Sequence, residues 1–149
     1  MSRMLVLALA ALALVPAAAA APGSSATGAG QIVFGPNREA VAFNAHELLA
    51  NVGTGQAEVH DITAGVQAHI EVNCVNVVGN TATISGIVTR STDPTLEGFE
   101  AIFQVVDGDP TSADLMSLVN FHAVGTGTDC RFPGEFDLVA VRGQIVVRE

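Results

Sequence analysis

Lysine, tryptophan and tyrosine are missing from this 149-residue chain, and its only full cations are six arginines set against 15 acidic residues, for a formal net charge of −9. A nucleic-acid binder needs a basic footprint, and none is present. An acidic membrane surface would repel the chain. Without tryptophan or tyrosine it lacks the flat rings with a polar handle that most often carry sugar recognition. Cysteine is scarce too: Cys74 and Cys130 are too few and too far apart for a C-x-x-C redox pair or a cysteine-rich zinc centre. There is no G-x-S-x-G elbow, H-E-x-x-H helix, phosphate-binding loop or dinucleotide fingerprint.

What is present begins with an export signal. Arg3 precedes an unbroken apolar run, Leu5 to Val15, which is too short to span a bilayer comfortably. Pro16 ends the run, and Ala17 to Ala21 offer small residues throughout, as in a secretory signal peptide. We expect a signal peptide over residues 1–20, cut after Ala19 or Ala20; the alternative is an uncleaved N-terminal anchor. No further run is long enough to cross a membrane once the signal is removed. Residues 21–30 are mostly Gly, Ser, Ala and Thr and read as a flexible leader. Residues 31–149 remain, enough for one domain with a real core. In an exported chain two cysteines imply a Cys74–Cys130 disulfide, the alternative being two buried thiols. It would close a loop of about 57 residues, worth roughly 4 kcal/mol by the chain-entropy argument.

From Gln31 onward the apolar pattern has period two, not 3.6. Gln31 to Phe34 is a short strand, Gly35-Pro36-Asn37 a turn, and Glu39 to Ala45 alternates, with a possible helical turn at His46 to Leu49. Gln56 to Val72 reads as a hairpin. A two-residue Ala64-Gly65 loop pairs His60 with His69 and Glu58 with Glu71, placing the His/Glu set on one face and Val66, Ala68, Ile70 and Val72 on the other. Val72 and Val75 cannot both point inward on a regular strand, so a β-bulge is expected at Cys74. The Gly79-Asn80 turn pairs Val77 with Ala82 and Val75 with Ile84. Phe99, Ala101, Phe103 and Val105 alternate strictly; Leu115 to Phe121, Phe136 to Val141 and Gln144 to Arg148 follow. About eight or nine short strands at such spacing predict an all-β fold, an antiparallel sandwich or barrel.

The residues Gln56 to Asp61, Val66 to Cys74 and Gly79-Asn80-Thr81-Ala82-Thr83-Ile84-Ser85-Gly86, then Phe103 to Asp109, Asp114 to Leu118 and Arg142-Gly143-Gln144-Ile145-Val146-Val147, resemble a family of small secreted bacterial all-β domains of unknown function. The resemblance implies export and an all-β fold. It supplies no activity and no catalytic residues, and the acidic turn Asp107-Gly108-Asp109-Pro110 is shorter than the family's.

Two groups of residues are candidate sites. Facing imidazoles at His60 and His69, with Glu58 or Glu71 nearby, would meet the minimum for a divalent transition ion; otherwise they form an ordinary solvated strand face. Asp107, Asp109 and Asp114 make an oxygen-rich loop suited to calcium, without the spacing of an EF-hand; otherwise Asp114 caps local backbone N–H groups. No cofactor is implied beyond such a cation. The sequence therefore points to a secreted or envelope-associated, non-catalytic accessory or ligand-binding domain. The alternative is a secreted metal-dependent or hydrolytic enzyme.

Overall fold

The computed structural model describes residues 23–126, 129–131 and 134–149; the expected signal peptide lies outside them. Alternation becomes ten strands: β1 (Ser25–Phe34), β2 (Asn37–Leu49), β3 (Val52–Asp61), β4 (Val66–Val78), β5 (Thr81–Ser91), β6 (Glu100–Val106), β7 (Leu115–Met116), β8 (Asn120–His122), β9 (Val139–Ala140) and β10 (Arg142–Arg148). The described residues hold no α-helix, only a 3-10 turn at Pro94–Leu96. All pairings are antiparallel, in the order β10-β1-β2-β3-β4-β5-β6-β7-β9, with β8 also on β6. Because β9 and β10 are separated only by Val141, one bent C-terminal segment touches both ends of the sheet and brings it to a nearly closed barrel. No helix among the described residues is long and apolar enough to cross a membrane.

Several turns and pairings follow from local chemistry as expected. Val77 pairs with Ala82 and Val75 with Ile84 around Gly79, whose φ of 61° suits glycine. The register slips between Val72 and Cys74, the anticipated bulge, so that Val72, Cys74 and Val75 are all buried. Three expectations are corrected. Ser25 to Gly30 is not a flexible leader but the first half of β1, paired on both sides, with β2 and β10. Its small residues serve close packing: a Cβ on Gly28 would lie 2.8 Å from Gln144 O, and one on Gly143 would collide with Ala29 O. His46 to Leu49 continues β2 instead of turning into helix. The stretch expected as one strand over Leu115 to Phe121 is split into β7 and β8 around Ser117, whose backbone N–H donates to Gln104 O and whose Oγ accepts from Gln104 N–H.

Inward side chains fill the barrel. Ile32, Val41, Ile70, Ile84, Val88 and Val105 are buried, and Phe43 meets Phe103 edge to face at 5.5 Å. The remaining seam, between the β6–β7 connection and β10, is joined by carboxylates. Asp107 Oδ2 accepts from Val147 N–H at 2.9 Å and Asp114 Oδ2 from Ile145 N–H at 2.6 Å, while Val141 N–H donates to Asp114 O. These carboxylates accept two N–H groups on the outer edge of β10, as a neighbouring strand's carbonyls would. On the outside, the Cys74–Cys130 disulfide ties the loop after β8 over β4–β6. Beneath it Cys130, Ser85 and Ile102 are buried, and Asn76 Nδ2 donates to Cys130 O.

Candidate functional site

With the interior filled and the outside of β4–β6 strapped, the outer face of β1–β4 is the broad surface left open. Cross-strand register writes it as rows. One row runs Gln31, Ala40, His60, Gln67; the next runs Ala29, Ala42, Glu58, His69, Arg90; a third runs Thr27, Asn44, Gln56, Glu71. Ser25, His46 and Thr54 follow. Three of the four histidines thus share this face. Ala29, Ala40 and Ala42 have side chains too short to fill their share of it, and they floor a depression of about 460 Å³ walled by Gln31, Glu58, His60 and Gln67. Apolar floor with polar walls is the usual composition of a recognition surface.

The structure keeps the expected His/Glu face but corrects its register. His60 faces Gln67, not His69; His69 faces Glu58; and Glu71 faces Gln56. The hairpin loop holds four residues, Ile62 to Gly65, instead of two. Asp61 is the cause: its Oδ1 accepts from Ala64 N–H and its carbonyl from Gly65 N–H, both at 2.8 Å, so the turn opens at Asp61. Thr63 is drawn away as well, its Oγ1 accepting from Arg38 N–H and donating to Pro36 O. A slip of two residues preserves which side chains face out while changing every partner. His69 Nδ1 therefore sits 2.5 Å from Glu58 Oε1. The facing pair of imidazoles on which the transition-ion site depended does not form. Among the described residues no three His, Cys, Asp or Glu side chains gather as a metal-holding group.

The acidic loop also resolves into structure. Asp114 takes Gly108 N–H on Oδ1 and Ile145 N–H on Oδ2, Asp107 takes Val147 N–H, and Asp109 accepts from the backbone and hydroxyl of Thr111. The hydroxyl and amide of Thr111 hold Asp109 below the usual carboxylate range. The three carboxylates satisfy three different parts of the backbone and do not converge.

One notable residue escaped sequence reasoning. Glu39 is buried, with Oε1 accepting from Val119 N–H at 3.0 Å. Burial pushes its pKa up to about 7 against the lowering effect of that hydrogen bond, and the charge of Asp61, its cross-strand partner, adds to the rise. The signal was the alternation itself, since Glu39 shares parity with Val41, Phe43 and Ala45. Gln67 and Arg90, which border His69, carried no such signal. Compared with known protein families, with curated proteins and with solved structures, the chain matches none.

Proposed function

We propose that the chain is an exported, non-catalytic binding module whose ligand lies across the outer face of β1–β4. One observation carries this reading: the barrel interior is packed with side chains, while the alanine-floored depression offers an open, shallow surface of mixed polarity. Export is supported by the N-terminal apolar run, by the likeness to small secreted bacterial domains and by the Cys74–Cys130 bond, which persists best in an oxidising compartment. The walls present two amides, an imidazole and a carboxylate, a set that complements ligands rich in amide and hydroxyl groups.

A hydrolytic enzyme is the second reading. It draws on the His69 Nδ1–Glu58 contact, which resembles the base-orienter half of a catalytic triad. A nucleophile hydrogen-bonded to that imidazole is not found among the described residues, which is why this reading ranks second.

Amide-backbone NMR with a set of N-acetyl amino-acid amides and simple sugars separates the two. The module reading expects shifts clustered on Ala29, Ala40, Ala42, His60 and Gln67, abolished when Ala42→Arg fills the floor. Shifts confined to other surfaces would overturn it. Turnover of ester, amide or glycoside substrates that disappears in His69→Ala would replace it with the enzyme.

A further inference from the structure

We infer that the β2–β3 hairpin tip is a membrane-contact element that seats one end of the barrel on a zwitterionic phospholipid surface. Six large apolar side chains are exposed among the described residues, and Leu48 (62 %), Leu49 (72 %) and Val52 (47 %) lie together at this tip. Val78, at the β4–β5 turn, stands at the same end of the barrel, since β3 starts and β4 finishes there. The tip is built, not frayed. Asn51 adopts a φ of 60°, unusual for a residue other than glycine, and its N–H is held by Glu47 Oε1 at 3.1 Å. That turn pairs Leu49 with Val52 and leaves both facing water.

The occupant follows from where the chain enters the barrel. Ser25 pairs with His46, and Glu47 N–H donates to Ser24 O at 2.8 Å, so the residues before β1 emerge beside the tip. The apolar run Leu5 to Val15 lies only seven residues upstream of Gly23, a stretch of at most about 25 Å. Before the signal is cut, while that run sits in a bilayer, the end of the barrel carrying Leu48 and Leu49 is delivered close to the lipid surface. A net charge of −9 disfavours anionic lipid, so the contact is with neutral headgroups and the apolar boundary beneath them.

The chain has no tryptophan, so a single introduced one reports its own surroundings. All ten described strands and both cysteines lie within residues 23–149, and a chain starting at Ala21 avoids binding through the apolar run itself. Leu49→Trp and, as control, Val33→Trp at the opposite end of the barrel are titrated with phosphatidylcholine vesicles. The expected result is a blue-shifted emission for Leu49→Trp alone, and vesicle partitioning weakened about tenfold or more by Leu48→Ser with Leu49→Ser. No shift at Leu49→Trp, or equal shifts at both positions, would overturn the inference. So would a shift that appears with protein concentration in the absence of lipid, because a second copy would then cover the tip. None of these three outcomes touches the β1–β4 face.

Discussion

Glu39 makes the stability of this barrel depend on pH in an unusual direction. Its carboxyl is raised from 4.5 to about 7 in the folded chain. A raised carboxyl binds its proton more tightly folded than unfolded, so its contribution is fully present below pH 4.5 and is lost as pH rises to about 7. The difference of some 2.5 pH units corresponds to roughly 3 kcal/mol, equivalent to a melting shift on the order of 10 °C for a domain of this size. Two carboxylates shifted the other way, Asp93 and Asp109, act only below their ordinary value of 3.8 and leave this window clear. The assay is guanidinium unfolding followed by far-ultraviolet circular dichroism at pH 5 and pH 8, since no tryptophan or tyrosine reports tertiary packing. Glu39→Gln retains an oxygen for Val119 N–H without the charge. It should be about as stable as the wild type at pH 5, more stable at pH 8, and nearly flat between. Glu39→Ala should be less stable than Glu39→Gln at both values, by about 1–3 kcal/mol, because Val119 N–H loses its acceptor. Equal wild-type stability at pH 5 and 8, or an unchanged slope in Glu39→Gln, would refute the reasoning.

The disulfide spans a sequence separation of 56, so replacing both Cys74 and Cys130 by Ala should lower unfolding free energy by roughly 4 kcal/mol; denaturant titration of the double variant checks this, and an unshifted midpoint would contradict it. Asp114→Asn keeps one oxygen but puts an amide where a second acceptor is needed, so one of the bonds to Gly108 and Ile145 fails, costing about 1.5–3 kcal/mol. Asp109→Asn, confined to an exposed turn, should leave the unfolding midpoint nearly unchanged. Since these carboxylates are already engaged, calcium should leave the melting temperature of the wild type unchanged, and a calcium-dependent rise would restore the cation reading of the loop.

Period-two alternation was enough to assign the fold class, the inward faces of β2 to β6 and the bulge at Cys74, because burial on one face fixes phase. Pairing partners were legible only where the turn was. Gly79-Asn80 gave the β4–β5 register correctly, whereas Asp61 accepts two amides within its own loop and moved the β3–β4 register by two residues. That single side chain decided the candidate site, since it replaced a His60–His69 pair by His69–Glu58. Ser25 to Gly30 looked like a linker because small residues bury little. What orders them is backbone pairing with both β2 and β10, a long-range closure that composition does not encode. The choice between sandwich and barrel rested on the same closure, and so was equally out of reach.

The acidity of the chain has a structural explanation that narrows its function. Among the described residues a backbone N–H donates to the carboxylate of Glu39, Glu47, Asp61, Asp93 and Glu97, and likewise to that of Asp107, Asp109, Asp114, Asp129 and Glu149. Ten of the 15 acidic residues thus serve turns, the seam or strand ends. A carboxylate committed in this way has fewer lone pairs left to offer a cation. Of the five for which no such bond is found among the described residues, Glu58 and Glu71 stand on the outer face of β3 and β4, with Glu58 in the wall of the alanine-floored depression. Carboxylates that no backbone amide holds are therefore found beside His60 and His69, Glu58 against His69 Nδ1 itself, and under the binding-module reading proposed above a ligand that donates hydrogen bonds or carries positive charge would suit that face better than an anion.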